Sequence, residues 1–252
     1  MTRVHLCLTQ SPPPKVYQGG FSDFYALLSY GEKKKATAIL ERINAPFKGL
    51  IIDSGAFTFM NGTASGTRID WDKYAEEYAD FVNQYHAENY IELDLDAIIG
   101  LDEVERLRRK LAKIVGYPPI PVWHKSRGWD YWLKMCRDYS YIAIGGIVTK
   151  EIKRNEWPFF QTMLREAKKT GAKVHALGCT PSDPSFFKRY QFYSSDSSSW
   201  TSATRFTKYD YWNGHKIVHL HRDGRVDLAK ARDFCDYTFT QWLKYQRYAD
   251  RL

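Results

Sequence analysis

The segment Gly49-Leu50-Ile51-Ile52-Asp53-Ser54-Gly55 is a short run of large apolar residues that ends in an acid, a hydroxyl and a glycine. A run of this kind, bounded by turn residues, is typical of a strand that is buried on both faces of a parallel sheet. We therefore predict a strand at residues 49–53. Further segments of the same kind predict strands at residues 4–8, 90–96, 120–124, 141–146, 173–178 and 192–196.

Amphipathic helical segments separate these predicted strands. After the strand at 49–53, apolar residues from Trp71 to Tyr85 recur at intervals of three and four, which marks one face of a helix. Asp70 stands directly before this face and is predicted to cap the helix. Further helices are predicted at residues 101–115, 129–138, 157–170 and 185–190.

An alternating series of strands and helices gives either a closed barrel or a doubly wound open sheet. Seven strands at this spacing favour an α/β fold, a TIM-like (β/α)8 barrel with an irregular last unit. Residues 208–252 have another pattern, in which Asn213-Gly214 and Asp223-Gly224 predict a hairpin and residues 227–252 a terminal helix. We expect residues 1–252 to form one catalytic barrel domain, to which this hairpin and helix are appended.

The composition limits the class of partner. The chain has 252 residues, 37 Lys and Arg against 29 Asp and Glu, and a net charge of +8, which suits an anionic partner without requiring one. Its four cysteines lack metal-ligand spacing, so we expect neither a zinc ribbon nor a disulfide framework, and no metal or cofactor. With no signal peptide and no apolar stretch of about 20 residues, a soluble cytoplasmic protein without membrane contact is expected.

Reactive or small residues stand at the ends of the predicted strands. In a barrel the carboxyl ends of the strands meet at one mouth, so these residues are expected to converge there. For Asp196 alone, at the head of a serine-rich stretch, an ordinary turn is the more frequent explanation. Convergence of several acids at one mouth favours a catalytic site instead. The strand-end residues are Asp53-Ser54-Gly55, Asp94-Leu95-Asp96, His124, Gly145-Gly146, Gly178-Cys179-Thr180 and Asp196.

Four of these motifs follow one another between residues 49 and 205. They are Asp53-Ser54-Gly55-Ala56-Phe57, Gly145-Gly146-Ile147-Val148 with Glu151, Ala176-Leu177-Gly178-Cys179-Thr180-Pro181, and Tyr193-Ser194-Ser195-Asp196 with Arg205. In order and spacing they resemble the motifs of the tRNA-guanine transglycosylase superfamily. The short chain most resembles its compact phage branch, the DpdA-like DNA transglycosylases, which exchange guanine in DNA for a 7-deazaguanine base.

The resemblance implies a glycosyltransferase of the pentosyltransferase kind. Asp196 would attack C1′ to form a covalent glycosyl-aspartate, and Asp53 would act first as general acid and then as general base. Asp96, or less favourably Asp94, would read the base, and Phe57 would stack on it. The other substrate-binding positions are Ser54, Gly145, Gly146, Ile147, Glu151 and Gly178. His124 stands where the family has a base-reading glutamine, and it is expected either to bind the base or phosphate or to be a satisfied histidine at the strand end. The implied partners are guanine-containing DNA and a free 7-deazaguanine such as preQ0, in the host cytoplasm if the protein is phage-encoded.

The chain also departs from the family. Nothing in it supplies the ligands of the family's cysteine-rich zinc subdomain, so zinc is not expected. His215, His219 and His221 are interpreted as structural or phosphate-facing. Cations and aromatic residues placed near the mouth are predicted to contact nucleic acid. These are Lys125, Arg127, Trp129, Lys150, Lys153, Arg154, Trp200, Arg205, Lys208 and Trp212.

Three other functions fit the same residues. A transglycosylase that acts on tRNA would share every catalytic residue. A nucleoside hydrolase or another glycosidase would use the same acids with water as the acceptor. A noncatalytic barrel that binds nucleic acid would keep the fold without turnover.

Overall fold

Eight parallel strands form the centre of the computed structural model, which describes residues 1–8, 14–17, 20–42, 47–60, 69–201, 208–221 and 228–252. They are β1 (Arg3–Cys7), β2 (Tyr25–Ser29), β3 (Gly49–Asp53), β4 (Asn89–Tyr90), β5 (Val122–Trp123), β6 (Tyr141–Ile144), β7 (Lys173–Ala176) and β8 (Ser194–Ser197). Hydrogen-bonded neighbours follow the order β4-β3-β2-β1-β8-β7-β6-β5. A parallel bridge between Ile91 and Ile120 joins the chain beyond β4 to the chain before β5. The sheet therefore closes on itself, and the predicted (β/α)8 barrel is confirmed.

Helices follow the strands along the chain. They are α1 (Pro14–Tyr17), α2 (Lys33–Arg42), α3 (Ala56–Met60), α4 (Trp71–Gln84), α5 (Asp96–Ile99), α6 (Leu101–Val115), α7 (Gly128–Asp138), α8 (Phe159–Thr170), α9 (Phe186–Arg189) and α10 (Leu228–Ala249). The predicted cap of α4 is present, because the Asp70 carboxylate accepts the Lys73 N–H at 3.0 Å. None of the helices in the described ranges is both long and apolar enough to cross a membrane.

The sequence pattern does not predict β2. Its residues, Tyr-Ala-Leu-Leu-Ser, include strong helix formers, yet it pairs in parallel with both β1 and β3. Gln246 of α10 binds this strand through both ends of its amide, because Oε1 accepts the Tyr25 N–H at 3.2 Å and Nε2 donates to the Tyr25 carbonyl at 2.9 Å. Tertiary pairing therefore overrides the local preference of this segment.

The last unit is irregular, as predicted. An antiparallel hairpin of β9 (Lys208–Trp212) and β10 (Ile217–His221) stands between β8 and α10, with Asn213 and Gly214 in its turn. Asp223-Gly224 lies outside the described residues. His219 has a structural role, because both of its ring nitrogens are bound. Its Nδ1 is 2.6 Å from Asp210 Oδ1 in β9, and its Nε2 is 2.8 Å from Ser182 Oγ in the loop after β7.

Alternation along the strands divides the apolar side chains between two cores. One core lies between the strands and the helices and includes Val4, Leu6, Ile52, Ile144 and Ala176. The other lies inside the barrel and includes Leu27, Ile51, Ile91, Val122 and Ala143. Because Asp53 is two residues beyond Ile51 on β3, it faces the interior as well. The inner core thus forms a floor beneath the acids at the strand ends.

Candidate active site

A cavity of about 300 Å³ lies at the carboxyl ends of the barrel strands. Strand-end residues and the loops after them form its wall, so it occupies the end of the barrel where chemistry is expected. Three acids that the sequence places on separate strand ends, Asp53, Asp94 and Asp196, meet here. The wall includes Cys7, Ser29, Asp53, Asp94, His124, Gly145, Gly146, Gly178 and Asp196.

Asp196 lies in β8 and is 8% exposed. Its Oδ1 accepts the Gly178 N–H at 2.6 Å and is 3.2 Å from His175 Nε2, whereas Oδ2 accepts the Cys7 thiol at 3.4 Å. Burial raises the pKa of this carboxyl, but the hydrogen bonds and the nearby His175 outweigh burial and hold the pKa below its ordinary value. Asp196 is therefore ionised at neutral pH. Its Oδ2, which has the weaker donor, is the oxygen more available to a ligand.

Asp53 ends β3, with β2 and β1 between it and β8. Its Oδ2 accepts the Ser29 hydroxyl and the Gly55 N–H, both at 3.0 Å. Removal from water raises the pKa of Asp53 to about 6 in spite of these hydrogen bonds, and the charges of Asp196 and Asp94 act in the same direction. Asp53 can thus gain or lose a proton near neutral pH.

Asp196 and Asp53 form a pair whose pKa values are shifted in opposite directions. Environments that separate two acids in this way assign one to proton transfer and leave the other ionised. Both carboxyls line the same cavity. The arrangement can therefore present a carboxylate nucleophile and a proton donor to one ligand.

His124 stands between two further acids at the cavity wall. Its Nε2 is 2.8 Å from Asp94 Oδ2, and its Nδ1 is 3.0 Å from Glu151 Oε2. Burial lowers the pKa of His124, but the two carboxylates outweigh this and raise it to about 9. The ring is therefore protonated on both nitrogens at neutral pH. Because both N–H groups are directed at carboxylates, His124 orients Asp94 and is not free to bind the base as predicted.

Asp96 and Arg127 lie behind the cavity wall. Arg127 Nε donates to Asp96 Oδ2 at 2.9 Å, its Nη1 is 3.1 Å from Glu92 Oε1, and its side chain is 1% exposed. A guanidinium that is buried and paired in this way cannot contact a phosphate backbone, so the prediction for Arg127 is wrong. Asp94 lines the cavity and Asp96 does not. Of the two acids, Asp94 is the one that can contact a ligand in the cavity, whereas the sequence resemblance favoured Asp96.

The ligand atoms of Asp94, Asp96 and His124 lie within 4.8 Å of one another, a spacing that suits a metal ion. Positive charge is already present in this group. Arg127 is 2.9 Å from Asp96 and 3.5 Å from Asp94, and His124 is protonated. These contacts explain how two acids can converge beside the cavity.

The other predicted substrate-binding residues take several positions. Gly145 and Gly146 line the cavity, and a Cβ on Gly145 would lie 2.6 Å from His124 Cε1, so glycine is needed for this approach. Glu151 lies against Gly146 and accepts the Ser126 N–H at 3.2 Å. Ser54 is buried, and its carbonyl accepts the Tyr74 hydroxyl at 2.7 Å. The Phe57 side chain lies outside the described residues.

A second concave region of about 440 Å³ adjoins the cavity and shares Val148 and Gly178 with it. We call it the basic groove, because three of the predicted nucleic-acid contacts line it together with Ile147 and Trp157. Those three are Lys150, Lys153 and Arg154.

Among the residues that the structure describes, the remaining predicted contacts do not line this groove. Trp200 is fully buried and its indole N–H donates to the Cys7 carbonyl at 2.9 Å, so it belongs to the core and the prediction for it is wrong. Lys125 is exposed and pairs with Glu156 at 2.5 Å. Trp129 packs against Phe159, and Trp212 packs against Tyr248. Arg205 and the side chain of Lys208 lie outside the described residues.

Three residues at the site are not predicted from the sequence. Ser29 ends the strand that was not predicted, so nothing marked it as a strand-end residue. Cys7 ends β1, and the spacing of the four cysteines gave no sign that it lies at a site. His175 lies within a predicted strand, and the apolar neighbours Val174 and Ala176 face the outer core. That alternation was the available signal that His175 faces the interior.

Gly178 holds a left-handed backbone, with φ at 63°, where its N–H meets Asp196. A Cβ there would collide with Val148, whereas a Cβ on Gly171, at φ 78°, meets nothing within 4 Å. Gly171→Ala is therefore expected to lower the free energy of unfolding by about 1–3 kcal/mol, because an alanine is strained in a left-handed backbone conformation. Gly178→Ala is expected to cost more and to weaken the Asp196 hydrogen bond. Chemical denaturation measures both costs, and equal costs would contradict the role given to Val148.

Comparison with known proteins bears on the fold. No family model matches the sequence, and no curated protein matches it. Among solved structures, one assigned as a fructose-1,6-biphosphate aldolase from Coccidioides immitis matches with a TM-score of 0.58 and 10% identity. The match covers 99% of this chain and 89% of that chain. The fold therefore belongs to the class of TIM-like (β/α)8 barrels. At the mouth of this barrel lie two carboxyls whose pKa values are shifted in opposite directions.

Proposed function

We propose that this protein is an enzyme, a transglycosylase that exchanges guanine in DNA for a 7-deazaguanine base such as preQ0. The observation that carries the proposal is the pair of carboxyls, Asp196 and Asp53, with opposite pKa shifts at one cavity. Base exchange needs this pair, because one acid must attack the sugar while the other moves protons on and off the bases. The resemblance of the strand-end motifs supports the substrate class.

In the first step, Asp196 Oδ2 attacks C1′ of the deoxyribose. A bond forms between Oδ2 and C1′ as the bond between C1′ and the guanine nitrogen breaks. Asp53, in its protonated form, gives its proton to the departing base. The products are free guanine and a glycosyl ester on Asp196, with Asp53 left as a carboxylate.

In the second step, the incoming 7-deazaguanine occupies the cavity. The Asp53 carboxylate removes the proton from its glycosylating nitrogen, which attacks C1′ and displaces Asp196 as a carboxylate. Each step inverts the configuration at C1′, so the pair of steps retains it. Both acids end in the protonation states in which they began.

Asp94 is placed to recognise the base. Its carboxylate accepts hydrogen bonds and can pair with the ring N–H and amino group that guanine and 7-deazaguanine share. The protonated His124 donates to this carboxylate at 2.8 Å and fixes its orientation. Leu27, Ile91 and Leu177 supply an apolar surface in the same cavity, which suits a flat heterocycle.

DNA would reach the cavity with its target nucleotide flipped out of the stack. The basic groove beside the cavity offers a path for the flanking phosphates. We expect the double substitution Lys150→Glu with Lys153→Glu to weaken DNA binding and to reduce the slope of log affinity against log salt by about 1 for each phosphate that is no longer neutralised. Lys34→Glu, at an exposed position of α2, is the matched control and should leave the slope unchanged. Equal slopes for groove and control variants would exclude this path.

Labelled guanine separates the proposed reaction from its alternatives. DNA and tRNA carrying labelled guanine are each incubated with the protein and unlabelled preQ0. Release of label from DNA together with incorporation of preQ0 supports the proposal. Exchange only in tRNA would identify tRNA as the substrate. Release of guanine without incorporation of preQ0 would indicate a hydrolase. Binding of nucleic acid without release of guanine would indicate a noncatalytic barrel.

A further inference from the structure

His175 lies directly beneath the proposed nucleophile, and the two-step mechanism above gives it no part. It is fully buried in β7, opposite Ser194 of β8 in the sheet register. Its Nε2 is 3.2 Å from Asp196 Oδ1, and its Nδ1 is 2.5 Å from Ser194 Oγ. The Tyr141 hydroxyl lies 2.5 Å from the same serine oxygen. A continuous chain of hydrogen bonds therefore runs from Tyr141 through Ser194 and His175 to Asp196.

The groups at the two ends of this chain hold the imidazole of His175 in one orientation. An ionised carboxylate only accepts hydrogen bonds, so His175 Nε2 must carry a proton. At the other end, burial raises the pKa of Tyr141 well above its ordinary value, so its hydroxyl keeps its proton and can donate to Ser194. Ser194 Oγ lies between the Tyr141 hydroxyl and His175 Nδ1 and binds both. These contacts hold the imidazole so that its Nε2–H is directed at Asp196.

We infer, on the basis of the proposed function, that His175 is a positioning residue that holds Asp196 Oδ1 so that Oδ2 attacks the sugar. Oδ1 has two strong donors, Gly178 N–H and His175 Nε2, whereas Oδ2 has the thiol of Cys7. The two strong donors fix the rotation of the carboxylate. They therefore settle which oxygen is presented to C1′.

The same donor acts again when the intermediate breaks down. In the glycosyl ester Asp196 carries no charge, and the charge returns to the carboxylate as the incoming base displaces it. A hydrogen bond to a charged acceptor is stronger than one to an ester carbonyl. The Nε2–H of His175 thus stabilises the leaving carboxylate, and its loss should slow the second step more than the first.

The other titratable groups around Asp196 leave its ionisation identifiable. They come from several strands and loops and are His5, Cys7, Asp53, Tyr141 and Cys179. Burial raises the pKa of both thiols, that of Cys179 to about 12, and burial together with His175 lowers the pKa of His5 to about 3. The thiols and His5 therefore stay neutral between pH 4 and pH 8. In that range the change in rate near pH 6 reports Asp53. The change in rate that protonation of Asp196 causes lies at lower pH, because the pKa of Asp196 is held below its ordinary value, and a substitution that removes a hydrogen bond to Asp196 moves that change upward into this range.

Two substitutions of His175 separate positioning from packing. In His175→Gln the amide reaches the position of Nε2 and keeps a donor for Asp196, whereas in His175→Asn the shorter amide reaches only toward Ser194. Two quantities are measured. The first is the acidic limb, the fall at low pH in the rate of adduct formation with guanine-containing DNA, where Asp196 becomes protonated. The second is the lifetime of the adduct after preQ0 is added. His5→Gln, at a neighbouring buried histidine that contacts the Ser195 carbonyl, is the control.

We expect His175→Asn to move the acidic limb to higher pH and to lengthen the adduct lifetime by about 10- to 100-fold, the effect of removing one hydrogen bond to a charge. His175→Gln should restore both values toward wild type, and His5→Gln should change neither. Equal behaviour of the Asn and Gln variants, or an unchanged limb and lifetime in both, overturns the role of His175. A wild-type protein that forms no adduct overturns the proposed function and this role together.

Discussion

Asp196→Ala is expected to abolish the covalent complex between the protein and guanine-containing DNA. The buried carboxylate supplies the attacking oxygen, and removal of a nucleophile typically lowers turnover by about 10⁴- to 10⁶-fold. Wild-type protein, mixed with DNA and denatured, should run as a protein–DNA adduct on a gel, and the variant should not. Mass spectrometry of the digested adduct should place the sugar on Asp196.

Two further variants keep this result interpretable. Asp196→Asn preserves the shape of the side chain, so it should be equally inactive while its thermal unfolding stays near that of wild type. Asp130→Ala removes an exposed acid of α7 and should form the adduct at the wild-type rate. A normal adduct in either Asp196 variant would refute the assignment of the nucleophile.

Asp53 is expected to give the two steps opposite pH dependences. Because its pKa is raised to about 6, the fraction that is protonated falls about tenfold for each pH unit above that value. Adduct formation needs the protonated form and should slow as the pH rises through 6. Breakdown of the adduct by preQ0 needs the carboxylate and should accelerate as the pH rises, with its midpoint at a lower pH than that of adduct formation, because the ester removes the Asp196 charge that helps to raise the pKa of Asp53. Single-turnover measurements between pH 5 and pH 8 would resolve the two limbs.

Asp53→Asn tests the same assignment by removal of the proton. The asparagine keeps an acceptor for Ser29 and Gly55 but cannot act as an acid or a base. Adduct formation should fall by about 10²- to 10⁴-fold, the usual contribution of general acid catalysis, and both pH limbs should disappear. A limb that persists near pH 6 in this variant would mean that another group moves the proton.

The barrel could be predicted because its signals are local. The segment at residues 49–53 coincides with β3, and the periodic faces of α4 and α6 are present with the bounds the pattern predicts, to within a residue. The sequence pattern did not predict the strand β2, because its Ala and Leu residues favour a helix. What makes it a strand is pairing with β1 and β3 and the amide of Gln246, more than 200 residues away in the chain.

Side-chain partners at the site could be predicted only in part. Residues 90–96 were expected to form one strand, which would place Asp94 and Asp96 on one face. In the structure the strand β4 stops at Tyr90 and α5 begins at Asp96. The two carboxylates meet instead around Arg127, whose burial among acids no spacing rule reveals. Distances along the chain locate strand ends, but they do not show which cation a given acid will bind.

The most direct test of base exchange is its stoichiometry. Guanine-containing DNA is incubated with the protein and labelled preQ0, and the guanine released is compared with the preQ0 incorporated. The proposed reaction predicts equal amounts of the two, and neither in Asp196→Ala. Guanine release without incorporation, or incorporation that persists in Asp196→Ala, would contradict it.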